Sequence, residues 1–306
     1  MTPVLVISGF LGSGKTTLIR YLSQTAFRSQ RIVVIENDFG DVNLDGEYLK
    51  NTGLVVAEIN AGCICCSLTA TLHDVVQAVL TDVAPDRILI EPSGVARLSD
   101  LLQVLRETQE RCPIVLEGVI TLARPIRSGA YLRHFGGIYK NQLQNADLIL
   151  PDCSGAQDAT FLHFLRENAQ GVPILDRQWI EMAPEALLSL IDHKQNPCLF
   201  PQRRAPHSHT PAPDSFVQHL PQSFSAAALR EAVSDIAADP AQYGCLLRAK
   251  GFVVDSNGGA VKVDWTLTDF QTEAQPVLTD PKMVFIGFGL RREAIHALFA
   301  AKASAI

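Results

Sequence analysis

Eight residues near the N-terminus, Gly9-Phe10-Leu11-Gly12-Ser13-Gly14-Lys15-Thr16, constrain this 306-residue chain more than any other stretch. They match G-x-x-x-x-G-K-[ST] in full. The glycines let backbone N–H groups converge on an anion without interference from Cβ atoms. A helix opening near Lys15 would turn its positive end on the same anion. Lys15 supplies a point charge for β- and γ-phosphates, and the Thr16 hydroxyl is a hard oxygen donor suited to Mg²⁺. The flanks agree: Val4 to Ile7 is a short apolar run of strand character, and Thr16 to Tyr21 has the opening of a helix. The expectation is a Mg²⁺–nucleoside triphosphate site lined by Gly9, Gly12, Ser13, Gly14, Lys15, Thr16 and Thr17.

Further buried-strand patterns occur at Ile32 to Ile35, Val55 to Ile59, Arg87 to Ile90, Val115 to Leu122 and Asp147 to Leu150. Between them, Leu72, Val75, Val76, Val79 and Leu80 repeat at helical spacing. Strands alternating with helices predict an α/β P-loop NTPase fold, with a mostly parallel sheet flanked by helices. The pattern breaks near residue 195. Residues 196–214 hold five prolines, Arg203-Arg204 and His207-Ser208-His209, which predicts a linker. Beyond it, helix patterns at Ala226 to Ile236 and Arg291 to Ala301 accompany strands at Cys245 to Val254, Ala260 to Leu267 and Val284 to Gly287, with a turn at Asn257-Gly258-Gly259. The predicted organisation is a nucleotide-binding domain over 1–195, the linker, and a smaller C-terminal α+β domain over 215–306.

Catalytic groups in such folds sit on loops at the carboxyl ends of strands. Two of these loops carry acids: Glu36-Asn37-Asp38-Phe39-Gly40-Asp41, and Glu91-Pro92-Ser93-Gly94. Glu91 stands where a Mg²⁺-holding acid is needed, with Asp38 and Asp41 as further candidates near the metal or the attacking water. The Gly94 N–H is placed to meet a γ-phosphate.

A second signal is Gly62-Cys63-Ile64-Cys65-Cys66-Ser67, which gathers three of the seven cysteines into four residues. Thiolates suit Zn²⁺ or Cu⁺, and tetrahedral zinc takes four donors. Cys63, Cys65 and Cys66 can supply three at most, leaving the fourth to an acid, His73, water or a second chain. A redox pair is the other reading of such thiols. Cys112, Cys198 and Cys245 are isolated and read as buried thiols.

The order of these elements resembles the CobW-like family of metal-handling GTPases, relatives of the hydrogenase and urease nickel-insertion GTPases. Arg248-Ala249-Lys250-Gly251-Phe252 and Val284-Phe285-Ile286-Gly287 look like that family's C-terminal domain. The resemblance implies GTP hydrolysis coupled to delivery of zinc or cobalt to a client metalloprotein, with metal held at Cys63, Cys65 and Cys66. In that family guanine is read by Asn-Lys-x-Asp after the strand that here is Asp147 to Leu150. This chain has Asp152-Cys153-Ser154-Gly155 there, so the base-reading aspartate is a glycine, and Asp152 or Asp158 is the nearby acid left to stand in. Arg124 follows its strand where the family has an acid. His207, His209 and His219 lie where relatives carry metal-collecting histidines, although a solvated linker is the plainer reading.

The formal net charge of −6 argues against a general nucleic-acid surface, which needs a basic face. No apolar run is long enough for a membrane helix, and Met1 to Ile7 has no basic leader segment, so a cytoplasmic location is expected. A metal- or nucleotide-linked homo-oligomer is compatible with a thiol loop short of one donor.

Overall fold

In the computed structural model, which describes residues 1–36, 55–58, 68–125, 129–152, 158–190, 214–266, 269–275 and 280–303, the chain divides into two compact units. The first contains β1 (Thr2–Gly9), α1 (Lys15–Gln24), β2 (Ile32–Glu36), β3 (Val55–Glu58), α2 (Leu68–Asp82), β4 (Arg87–Glu91), α3 (Leu98–Gln109), β5 (Ile114–Ala123), α4 (Gly129–Gln144), β6 (Leu148–Pro151), α5 (Ala159–Asn168), a 3₁₀ turn (Trp179–Glu181) and α6 (Pro184–Ser189).

The six strands form one parallel sheet in the order β3-β2-β4-β1-β5-β6. Alternate residues of β1 point to opposite faces, as strand geometry demands. Val4 and Val6 pack with Leu72 and Val76 of α2 and with Leu98, Leu101 and Leu105 of α3. Leu5 and Ile7 pack on the other face, with Leu18, Ile19 and Leu22 of α1 and with Leu175, Trp179 and Leu187. Each such buried side chain contributes about 1.5–3 kcal/mol over exposure. Burial on both faces explains why β1, β2 and β4 read as unbroken apolar runs and not as alternating ones.

From β1 the chain moves through α1 to β2 on one side, and from β4 it crosses to β5 on the other. The segment after β1 therefore lies where the connections diverge, at the carboxyl edge of the sheet. That is the position at which open parallel sheets hold ligands.

The second unit contains β7 (Asp214–His219), β8 (Ser223–Phe224), α7 (Ala226–Ala238), α8 (Pro240–Tyr243), β9 (Cys245–Asp255), β10 (Ala260–Thr266), β11 (Asp269–Gln275), β12 (Lys282–Phe288) and α9 (Arg292–Ala303). Its antiparallel sheet runs β11-β10-β9-β12-β7, with β8 beside β9. Phe224, Leu229, Val233, Phe285, Ile295 and Phe299 belong to its core. The β9–β10 turn is closed by Asp255, whose Oδ1 accepts from the N–H groups of Asn257 and Gly259 at 2.8 and 2.7 Å. Arg248 and Asp264 form a two-point pair across β9 and β10, at 3.0 and 2.7 Å.

Asp214, the last residue of the expected linker, is the first residue of β7; pairing with β12 extends the sheet one residue earlier than the proline pattern predicts. The rest of that linker, with His207 and His209, lies outside the described residues. Among the described residues no helix is long and apolar enough to cross a membrane.

Candidate functional site

The site begins with how α1 starts. Gly14 takes a left-handed conformation, φ +92°, and precedes the helix with no side-chain cap and no acid in its first turn. The amides of that turn are thus open to an anion. At Gly9 a side chain is excluded outright. Its φ is +145°, and a Cβ would lie 2.5 Å from both the Leu122 carbonyl oxygen and Ser13 Oγ. The loop closes with the Ser13 N–H donating to the Phe10 carbonyl at 3.2 Å.

Lys15 is buried, and its Nζ donates to the Phe10 carbonyl at 3.5 Å while standing 3.8 Å from Glu91 Oε1. Thr16 Oγ1 lies 3.3 and 3.2 Å from the two Glu91 carboxylate oxygens. Three of the residues singled out from sequence therefore meet: a cation, a hydroxyl and a carboxylate, drawn from the loop and from the end of β4. Gly12 and Ser13 lie in the loop with them, whereas Thr17, in the first turn of α1, is exposed.

The donor set suits magnesium and a polyphosphate. Thr16 and Glu91 are both oxygen donors, the kind Mg²⁺ prefers. The hydroxyl of Ser13, a buried residue, has no hydrogen-bond partner among the described residues, and the Gly9 cradle is one that a side chain would fill.

Glu36 precedes Asp38 and Asp41 in the same acidic segment. It ends β2 in register with Glu91 on β4 and with Glu58 on β3. Glu36 is 3% exposed. A carboxylate closing an otherwise apolar strand is the signal that finds it, because burying a charge costs several kcal/mol, of order, unless it has work or partners. Asp38 and Asp41 lie outside the described residues, as do Cys63, Cys65 and Cys66. Among the described residues no group of three or more His, Cys, Asp or Glu side chains is arranged to hold a metal. His73 is engaged elsewhere: its Nδ1 is 3.5 Å from Cys112 Sγ. Burial pushes the Cys112 and Cys245 thiols up; Cys112 is buried as expected, Cys245, the first residue of β9, is only partly so, and Cys198 lies outside the described residues. His219 sits on β7, 3.2 Å from Asp280 Oδ1.

Four contacts buttress the loop and the segment packed against it, none with a periodic sequence signal. Gly94 packs so closely that a Cβ there would lie 2.6 Å from the Leu11 nitrogen. The fully buried Gln142 of α4 donates to the carbonyls of Gly94 and Ala96, each at 3.0 Å. The Tyr139 ring meets Phe10 edge-on at 6.1 Å, and its hydroxyl donates to the Arg124 carbonyl at 3.0 Å. Burial pushes the Tyr139 phenol well above its usual range, so it stays neutral. Arg124 in turn donates from Nη1 to the Gly12 carbonyl at 3.1 Å and places Nε 3.2 Å from Asp152 Oδ2. Asp158, the other acid near that strand end, caps α5 by accepting from the N–H groups of Thr160 and Phe161.

Residues 3–170 match the model of the CobW/HypB/UreG nucleotide-binding domain. The chain belongs to the CobW/HypB/UreG family. Residues 214–303 also match the CobW C-terminal domain, described as that of a cobalamin synthesis protein. Zinc chaperone CobW of Pseudomonas aeruginosa is 29% identical over 200 residues, 55% of this chain and 53% of that protein. Zinc chaperone YjiA of Escherichia coli is 31% identical over 181 residues, 56% of each chain. The chain thus spans about half the length of the curated relatives it matches. The crystal structure of Zn(II)-bound YjiA GTPase from E. coli aligns over 98% of both chains at 22% identity, with a TM-score of 0.41. The first unit, then, is a CobW/HypB/UreG-type nucleotide-binding domain, and the geometry around Lys15, Thr16 and Glu91 lies within the matched span.

Proposed function

We propose that this chain is a nucleotide-hydrolysing metallochaperone, which couples the state of a bound nucleoside triphosphate to the binding and hand-over of a transition metal. The convergence of Lys15, Thr16 and Glu91 on the phosphate-loop helix carries this reading. Gly9, Gly12, Ser13 and Gly14 cradle the phosphates, with Thr17 completing the first turn of the helix. Lys15 holds the β- and γ-phosphates. Thr16 and Glu91 hold Mg²⁺, which, when bound, supplies charge neutralisation on the phosphate oxygens. In hydrolysis a water oxygen bonds to the γ-phosphorus as the bond to the bridging oxygen breaks, and the leaving diphosphate takes the electron pair. The loop amides and Lys15 stabilise the charge that develops there, while Asp38 or Asp41 orients the water and takes up its proton.

Cys63, Cys65 and Cys66 are the proposed cargo site, with zinc the first candidate and cobalt the second. The relatives named zinc chaperones support that order. Glu36 ends β2 on the nucleotide side of the sheet and the thiol segment follows β3 in sequence, an order that favours mutual sensing. Such coupling is reciprocal: whatever factor nucleotide applies to metal affinity, metal applies to nucleotide affinity. A client metalloprotein would receive the metal in the cytoplasm, and residues 1–195, 196–213 and 214–306 serve as nucleotide domain, linker and C-terminal domain. A homo-oligomer bridged by metal or nucleotide would supply the donor that the three thiols lack.

Phosphate release with GTP and with ATP, measured with and without Zn²⁺, tests the enzyme reading. Turnover no higher than that of Lys15→Ala would reject it and leave a nucleotide- and metal-binding regulatory module. Zinc titration of the wild type against Cys65→Ala tests the cargo site; equal stoichiometry and affinity would remove the thiols as ligands.

A further inference from the structure

The two sides of the phosphate loop are chemically unlike. On the β4 and β2 side stand Glu91 and Glu36, at neighbouring strand ends. On the β5 and β6 side stand Arg124 and Asp152, the first residues beyond those strands. Resting on the reading just given, the magnesium-bound end of a nucleotide lies toward Thr16 and Glu91. A nucleoside on the side of the loop away from those acids would face the carboxyl ends of β5 and β6, where Arg124 and Asp152 stand among the described residues.

There the two residues are bound to each other and to the loop. The Asp152 N–H donates to the Ala123 carbonyl at 2.8 Å, fixing the carboxylate beside β5. Arg124 reaches Asp152 with Nε at 3.2 Å and the Gly12 carbonyl with Nη1 at 3.1 Å. One planar guanidinium therefore spans an acid and a main-chain carbonyl of the phosphate loop, a task its fixed fork of donors suits and an ammonium does not. The Ser13 N–H of the same planar peptide donates to the Phe10 carbonyl at 3.2 Å, so both ends of the Gly12–Ser13 peptide are held within the loop.

We propose that Arg124 and Asp152 form a positioning pair for the phosphate loop at the place a nucleoside must cross, so that this chain recognises its substrate through the polyphosphate and discriminates weakly between guanine and adenine. The Asp152 carboxylate holds Arg124 in place and does not read the base. A site built to hydrogen-bond a particular group rejects analogues lacking it by ~10⁴ or more, and a site whose acid is engaged otherwise has no such means.

Equilibrium binding of Mg²⁺–GTP, Mg²⁺–ATP and Mg²⁺–tripolyphosphate, the last a probe with no base, tests this on the full chain. The wild type is expected to bind GTP and ATP within about tenfold of each other. Arg124→Ala and Asp152→Asn should each weaken all three probes by the same factor, about tenfold, as loss of a charge-assisted bond implies. Arg124→Lys should restore less than half of that loss on a logarithmic scale, because a point charge cannot span both partners. If Asp152→Asn weakens GTP alone and spares tripolyphosphate, the proposal is overturned and Asp152 reads guanine. Unchanged binding of all three probes by both variants overturns it also, leaving a surface ion pair. A wild type that binds none of the probes, no better than Lys15→Ala, rejects the phosphate-loop reading itself, an outcome distinct from either of these. Thermal melts of each variant guard against unfolding, and Asp152→Asn, which keeps volume and removes only charge, preserves the test if Arg124→Ala fails to fold.

Discussion

Gly94→Ala is the sharpest perturbation of the contact between the phosphate loop and the segment that follows β4. The new Cβ would lie 2.6 Å from the Leu11 nitrogen, 2.9 Å from its Cα and 2.7 Å from its Cδ2. The methyl group can rotate away, but the backbone atoms cannot. Carbon atoms pack at about 3.5–4.0 Å, so one segment must retreat by roughly 0.6–1 Å. Overpacking of this kind costs about 1–3 kcal/mol, and a domain of this size loses about 2–4 °C in Tm for each of them. The larger effect should fall on nucleotide affinity, because misplacing a preorganised group by an ångström can cost about a hundredfold. Titration of Mg²⁺–GTP by calorimetry, beside a thermal melt, separates the two effects. Gly171→Ala is the control. Gly171 has a φ of +88° and would place its Cβ within 4 Å of nothing, so strain there should lower Tm slightly and leave binding unchanged. Wild-type affinity in Gly94→Ala, with an unchanged melt, would refute the claim that the two segments are packed as one.

Gln142→Leu removes two hydrogen bonds to loop carbonyls and also a buried Oε1 that has no partner among the described residues. Partial offset leaves a loss of about 1–3 kcal/mol, read by urea denaturation, and Gln142→Glu should be worse, since it sets a carboxylate against two carbonyl oxygens. Tyr139→Phe forfeits the bond to the Arg124 carbonyl, a loss of about 1 kcal/mol. Because the folded-state phenol is held above its unfolded pKa, that loss should be constant below pH ~10 and shrink above it, as ionisation favours the unfolded wild type; melts across pH 6–11 check the sign. Asp158→Ala should cost about 1 kcal/mol through loss of the α5 cap, with GTP affinity unaltered in the same titration.

The nucleotide unit was legible in the sequence wherever burial is uniform. β1, β2 and β4 are apolar on both faces and announce themselves without periodicity, and the loop after β1 is recognisable because only glycine tolerates its backbone. The α4 helix gives no such signal. It contains Gly129, Gly136 and Gly137, and it turns Asn141 and Gln142 inward among its apolar residues, so neither composition nor period marks it. The α3 helix begins at Leu98 with no side-chain cap, only a few residues after Pro92 and Gly94, which blurs its start. β7 and β11 are the outer strands of their sheet, and polar edge positions dilute the alternation that identifies an internal strand. Glu91 and Lys15 stand out in the sequence because their residue types fit the chemistry at known places, and the structure brings them to 3.8 Å. Gln142 and Arg124 were not assigned roles, because each acts on a main-chain carbonyl distant in sequence.

These carbonyl contacts divide the support of the phosphate loop into two kinds. Arg124 holds Gly12 from the β5 side, through an ion pair that belongs to no segment leading to the magnesium acids. Gly94 touches Leu11 from the β4 side, three residues beyond Glu91, and Gln142 ties the same segment to α4. A change at Glu91 therefore has a packed route to Leu11 and to α4, whereas Arg124 offers a fixed reference against which the loop can move. Loss of Arg124 should consequently weaken every nucleotide state alike, while loss of the Gln142 bonds should alter the ratio of triphosphate to diphosphate affinity. If Gln142→Leu shifts both affinities by one common factor, the β4 side is a static support too, and the coupling proposed between nucleotide and metal has no route through it.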